Sequence, residues 1–330
     1  MFSPPRPLNT AVLFLVFNRP DTTAQVFEAI RRAKPPRLYV AADGARAGRA
    51  NESQIVGKVR EIATNVDWPC EVSTLFRDKN LGCKNAISSA ISWFFTHEAE
   101  GIIIEDDCLP SQSFFWFCEE MLERFRHDQG VMAVTGTNIT RHIAFEADYF
   151  YSRYALMWGW ATWASAWKQY DLQLKNWPGV NQIKHLKGLG VTRLKDALVW
   201  KSVLTQVKDG GIDTWDFQWI YSCWMCGGLS IAPAKNLIRN NGFSSDATHT
   251  TNFDPIRSTL VLNDLHWPLE EPLERMPHAE ADNFIGKYWF GASWKSLVKL
   301  FLLRLLTPAY LSKLLHRLLS GWYWMDRSKC

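Results

Sequence analysis

The sequence predicts an α/β protein: a mostly parallel sheet flanked by helices, followed by a C-terminal pair of amphipathic helices. Three observations carry this. Short, continuous apolar runs alternate with helical patterns between residues 11 and 135. Their apolarity is unbroken, which marks strands covered by helices on both faces. Each run also ends in polar residues, and sheets of this kind gather their ligand sites at the carboxyl ends of their strands.

The first run, residues 11–17 (AVLFLVF), stops at Asn18-Arg19-Pro20-Asp21. Asp21 or Thr22 can cap a helix reaching about residue 32, with Val26, Phe27 and Ile30 on one face. Pro35-Pro36 ends it, and residues 38–42 (LYVAA) read as a second strand that stops at Asp43-Gly44. A helix follows over 51–64, then a third strand over 71–76 that stops at Arg77-Asp78. Gly82 precedes a helix over 84–97; residues 101–104 form a fourth strand, ending at Glu105-Asp106-Asp107. A helix over 111–126 and a fifth strand over 131–135 complete the alternation. Beyond Gly136 the pattern loosens into aromatic residues, with one further helix expected over 191–208.

Composition sets bounds. Of 330 residues, 47% are hydrophobic and 21% charged, a globular balance that can bury a sizeable core. The net charge is +4, but residues 291–330 hold seven Lys or Arg against Asp326 alone, so they carry +6 and the body carries −2. That body is disfavoured as a nucleic-acid binder. Seven scattered cysteines are an odd number and suit buried thiols better than a disulfide framework. Cys223 and Cys226 form a lone CxxC without the second pair that a zinc site wants. The start, MFSPPRPLNT, has prolines where a targeting core would be, and no run is long enough for a transmembrane helix.

Residues 102–110 (IIIEDDCLP) drive a buried strand straight into three acids. Adjacent carboxylates repel, and each raises its neighbour's pKa. A divalent cation with oxygen ligands removes that penalty and can bridge to a diphosphate. A solvated acidic turn is the plainer reading of the cluster taken alone. What favours a site is the shared rim: Asn18-Arg19, Asp43, Arg77 and the acids all stand at strand carboxyl ends.

Four pieces in order carry a resemblance: FLVFNRPDTT, YVAADGA, IIIEDDCLPSQSFFWF and GWATWASAW. With them, Leu13 to about His249, roughly two-thirds of the chain, resembles GT-A-fold (Rossmann-like) nucleotide-sugar glycosyltransferases. Within that class it is most similar to the N-acetylglucosaminyltransferase I type and its bacterial relatives. The resemblance implies an inverting, metal-dependent hexosyl- or N-acetylhexosaminyltransferase. Its donor would be a nucleotide diphosphate sugar, UDP-linked, and its cofactor Mn2+ or Mg2+. Arg19 and Asp43 would hold the base, Asp106 would face the ribose, Asp107 would bind the metal and Glu105 would sit closest to the sugar. Asn18 shares the rim with them.

The family places an acid where Asp216 stands, in DTWDFQW. Asp216 is the expected general base, deprotonating the acceptor hydroxyl as it attacks the anomeric carbon. A helix cap is an equal reading of the same residue, and Asp213 substitutes in either role. His249 is a second metal-ligand candidate, though a lone loop His is often merely exposed. Arg77 and Lys84 flank Gly82 near a helix N-terminus, where a phosphate or an ordinary cap fits.

The transferase domain is expected over 1–266, with a nucleotide half over about 10–136 and an acceptor half over about 137–266. A Pro-rich linker is expected over 267–290 and the basic tail over 291–330. In the tail Leu297, Val298, Phe301, Leu302 and Leu305, then Leu311, Leu314, Leu315, Leu318 and Leu319, recur at helical spacing on either side of Pro308. Basic amphipathic helices followed by Trp322-Tyr323-Trp324 suit an anionic membrane surface. That would make the enzyme peripheral on the cytoplasmic face of the inner membrane and the acceptor a glycan or lipid-linked glycan. Packing on the body is the alternative. Two other functions compete: a non-catalytic nucleotide-sugar-binding module, and a sugar nucleotidyltransferase. The latter usually wants a Gly-rich loop after the first strand, and FNRPDTT has no glycine.

Overall fold

The computed structural model describes residues 2–243, 256 and 259–293. His249 and the helices expected after residue 293 lie outside them. The first half alternates as expected: β1 (Val12–Val16), α1 (Pro20–Ala33), β2 (Arg37–Ala42), α2 (Glu52–Thr64), β3 (Glu71–Phe76), α3 (Gly82–Phe94) and β4 (Glu100–Glu105). Then come β5 (Cys108–Pro110), α4 (Gln112–Phe125), β6 (Val131–Thr135), β7 (Tyr149–Ser152), β8 (Trp160–Trp163) and α5 (Ala164–Trp167). They are followed by α6 (Gln182–Gly188), α7 (Leu194–Lys208), α8 (Asp216–Met225), β9 (Leu229–Pro233), β10 (Ile238–Asn240) and α9 (Ala279–Tyr288).

Eight strands form one sheet in the order β3-β2-β1-β4-β8-β6-β9-β7. Pairings β1/β2, β1/β4, β2/β3 and β6/β9 are parallel, whereas β8 runs antiparallel to both β4 and β6, and β7 antiparallel to β9. The protein is therefore α/β, a mixed, mostly parallel sheet flanked by helices. Two features differ from the sequence expectation. The aromatic stretch after Gly136 supplies strands β7 and β8, hidden because Trp and Tyr carry no period-2 polar partner when both faces are covered. And β3 is an edge strand with exposed Glu71, Val72, Thr74 and Phe76, not a strand buried on both faces.

β1 and β4 lie side by side with Phe14 opposite Ile104 and Leu15 opposite Glu105. Ile102, Ile103 and Ile104 are fully buried. Burying three such side chains is worth on the order of 5–9 kcal/mol before entropy costs. That anchors the strand whose last residues carry the acids. At the other end of β1, the Glu119 carboxylate of α4 accepts from Asn9 N (2.7 Å), Thr10 N (2.9 Å) and Thr10 Oγ1 (2.9 Å), with Arg6 Nε at 3.0 Å.

The stretch expected as a linker is docked instead. His278 N donates to Tyr151 O at 2.8 Å, Arg275 pairs with Asp128, and Trp267 Nε1 donates to Glu120 at 2.6 Å. Ala281 and Ile285 of α9 are buried, and Phe290 packs on Trp200. Three prolines made the segment read as a spacer, but the apolar i, i+4 pair Ala281 and Ile285 gives α9 a face to bury.

Asp282 on α9 is half-buried, accepting from Ser152 Oγ at 2.6 Å and Arg153 N at 3.2 Å. Burial pushes its carboxyl up to about 6, against those hydrogen bonds and the Arg153 charge. A carboxyl raised on folding holds more protons in the native state between its unfolded value near 4 and about 6. Stability therefore falls as pH rises through that window, by on the order of 2–3 kcal/mol. Asp282→Asn is expected to flatten that part of the profile, and denaturation midpoints at pH 4.5 and pH 7 in both proteins check it.

Candidate functional site

A cleft opens at the carboxyl ends of β1, β2 and β4. Arg19, Asp43, Arg77, Glu105 and Asp106 all line it. Its apolar wall comes from Cys83, Ala86, Ile87 and Ala90 on one face of α3. Five of the residues singled out from sequence thus meet in one cavity. They do so because parallel strands in register finish at the same level.

Asp106 is buried and fixed from two directions. Its Oδ2 accepts from Phe17 N at 2.9 Å and its Oδ1 from Arg19 Nη1 at 3.0 Å. Burial pushes its carboxyl up, Arg19 opposes, and the Asp107 charge adds to the rise. The same Arg19 Nη1 lies 3.0 Å from Asp107 Oδ2, so one guanidinium bridges both acids. Cys108 Sγ donates to Asp107 Oδ1 at 3.3 Å. Behind Asp107 runs β10, paired antiparallel with β5, and Asn241 N donates to Asp107 O at 2.7 Å. A Cβ on Gly242 would stand 2.8 Å from Asp107 Oδ2, so a side chain there would push on that carboxylate.

Asp43 joins three segments. Its carboxylate accepts from Gly44 N (2.9 Å), Leu81 N (3.0 Å) and Gly82 N (3.2 Å), the last two at the start of α3. Burial raises its carboxyl, and these amides oppose the rise. The amides that sequence offered to a phosphate are therefore capped by Asp43. A Cβ at Gly44 would strike the Lys79 backbone, and Asn80 Nδ2 donates to Gly44 O at 2.8 Å, which locks the β2 and β3 ends together. Exposed Asp213 reaches the same place, its Oδ2 3.6 Å from a Cβ built on Gly82.

Asp216 is the first residue of α8 and is buried. Its Oδ1 accepts from the Thr214 hydroxyl and from Phe217 N at 3.0 Å, while the N-cap position of the helix is Trp215. Tyr170 donates from its hydroxyl to Trp215 O at 3.0 Å. Its phenol is pushed up by burial first, then by the nearby charges of Asp216 and Cys83. Cys83 lines the cleft, whereas Asp216 does not.

Asn18 turns to Glu52, donating from Nδ2 at 3.0 Å, and Asn18, Lys84, Asp107, Asp213 and Asp216 do not line the cleft. Arg77 lines it while donating to Ser89 Oγ at 2.7 Å. Sequence reasoning missed Glu52, which gathers Asn18 and Arg46 at the rim, with Arg46 stacked 5.3 Å over Phe17. The small-residue face of α3 at 83, 86 and 90 was legible as spacing but not as a pocket wall. Among the described residues no group of three or more His, Cys, Asp or Glu is placed to share a metal ion, and no helix is long and apolar enough to cross a membrane.

Comparison with known proteins adds two structures. The chain is similar to the crystal structure of HddC from Yersinia pseudotuberculosis, at 10% identity over 47% of this chain and 77% of that one, with a TM-score of 0.29. It is also similar to the crystal structure of GalNAc-T7 with UDP, GalNAc and Mn2+, at 10% identity over 69% of this chain, with a TM-score of 0.42. It spans 43% of the length of that GalNAc-T7 chain. No family model matches the sequence, and no curated protein does.

Proposed function

We propose that the protein is an inverting glycosyltransferase that moves a sugar from a nucleotide diphosphate sugar, UDP-linked, to a glycan or lipid-linked acceptor. One observation carries the reading: Arg19, Asp43, Arg77, Glu105 and Asp106 line a single cleft at the carboxyl ends of β1, β2 and β4. A donor has both an apolar base and a charged diphosphate, and the cleft offers an apolar α3 wall facing a charged rim.

Asp43 and Arg19 would hold the base, Asp106 the ribose, and Glu105 the donor sugar. The donor set fits a divalent cation in a limited way. Asp107 offers a carboxylate beside a cleft, and hard cations of this kind commonly take one or two carboxylates with substrate phosphates and water. Asp107 would therefore hold Mn2+ or Mg2+ together with the donor, with His249 as a further ligand from beyond the described residues. Such a cation, when bound, supplies charge neutralisation at the leaving diphosphate. Asp216 would take the proton of the attacking hydroxyl, and Asp213 stands in reserve at the α3 rim. Attack opposite the diphosphate inverts the anomeric centre. The basic tail would hold the chain on an anionic membrane surface, peripheral on the cytoplasmic face of the inner membrane.

A panel of nucleotide sugars read by thermal shift, with Mn2+ and with EDTA, tests this. A true donor raises the melting midpoint in proportion to the logarithm of its excess over Kd. Flotation with vesicles containing anionic lipid tests the tail in the same preparation. If every nucleotide sugar leaves the midpoint unmoved, with or without Mn2+, the transferase reading is wrong.

A further inference from the structure

Arg19 does more than line the cleft. Its Nη1 stands 3.0 Å from Asp106 Oδ1 and 3.0 Å from Asp107 Oδ2, between two acid side chains that are 5% and 13% exposed. Adjacent carboxylates in such a place need a cation, and this chain supplies one covalently. Gly242 backs Asp107 Oδ2, Asn241 N holds the Asp107 carbonyl, and the Cys108 thiol is on Oδ1. A divalent ion approaching Asp107 Oδ2 from the cleft therefore meets the guanidinium. Arg19 has a side chain that is 33% exposed, and it lines the cleft where a nucleotide would lie.

We propose that Arg19 is a resident counter-ion that occupies the cation seat of Asp107 in the donor-free protein. A divalent cation competes with it, and a bound nucleotide relieves the competition by drawing the guanidinium onto the base that Arg19 would hold. The proposal rests on the transferase reading for the identity of the nucleotide, but not for the competition itself. Two consequences follow from linkage. Cation binding is weak without nucleotide and strengthened by it, and nucleotide binding is strengthened by cation by the same factor. Part of that coupling belongs to Arg19 and disappears with its charge.

The experiment measures Mn2+ binding by the loss of the free-ion electron paramagnetic resonance signal, with and without UDP. It uses the full chain as wild type, Arg19→Gln, Arg19→Lys and Arg19→Gln/Asp107→Asn. Without UDP, Arg19→Gln is expected to bind Mn2+ at least about tenfold more tightly than wild type, since a full charge leaves the seat. The added Asp107→Asn change is expected to abolish that gain, which locates it. Arg19→Lys, a full charge on a shorter and more strongly hydrated side chain, is expected to lie between. Should Arg19→Gln fail to fold, Arg19→Lys against wild type decides the question. UDP is expected to tighten Mn2+ binding more in wild type than in Arg19→Gln.

Equal or weaker Mn2+ binding in Arg19→Gln, with Mn2+ and UDP still bound together by wild type, overturns the counter-ion role and leaves the transferase reading standing. Tighter Mn2+ binding in Arg19→Gln without any UDP effect upholds the competition and removes the proposed release by nucleotide. Absence of Mn2+ and UDP binding in every protein overturns both.

Discussion

Asp216→Asn is expected to lower the rate of donor turnover by about 10²–10⁴-fold while leaving the melting midpoint close to wild type. The substitution is nearly isosteric. The Asn side-chain oxygen can still accept from the Thr214 hydroxyl and Phe217 N, so the start of α8 keeps its hydrogen bonds. What it loses is the ability to take a proton. Donor hydrolysis, with water as the attacking nucleophile, reads this before any acceptor is known. An unchanged rate would assign Asp216 to the helix start alone and pass the base role to Asp213, whose side chain stands at the α3 rim. A large fall in the midpoint would say that the loss of rate is a loss of fold.

Glu119→Ala has the largest expected effect on stability, a loss of on the order of 3 kcal/mol. The size comes from the amides and not from the visible ion pair. Arg6 is half exposed, and a pair of that kind is worth at most about 1 kcal/mol. Asn9 N, Thr10 N and Thr10 Oγ1 all converge on Glu119 Oε2, and Thr10 is buried. Removing the carboxylate strands those donors at the entrance to β1. Arg6→Ala is accordingly expected to cost less than about 1 kcal/mol. Urea midpoints of the two variants give the comparison directly, and equal losses would mean that the ion pair dominates after all.

Much of the first half was legible because one physical signal dominated it. The unbroken apolar runs at 11–17, 38–42 and 101–104 have few ways to be buried other than between helices. Once parallel, they had to bring Arg19, Asp43 and Glu105-Asp106-Asp107 to one edge. What the sequence did not disclose is how these side chains satisfy one another. Arg19 bridging two acids, and Asp43 capping the helix after β3, depend on distances between segments tens of residues apart. Periodicity carries no such information. The aromatic half was illegible for the opposite reason. Trp158, Trp160 and Trp163 are all buried, so no alternation of exposure separates a strand from a helix there. The misreading of residues 267–290 had a third cause, since proline content describes the backbone's stiffness and not what its neighbours can bury.

The placement of β8 bears on how this chain is made. β4 ends at Glu105, yet the strand that closes its open side, β8, begins at Trp160, after β6 has already been synthesised. A nascent chain emerging from the ribosome can zip β1, β2, β3 and β4 together early, but the isoleucine strand then waits with one row of amides and carbonyls unsatisfied. Unguarded edges of that composition invite pairing with other chains.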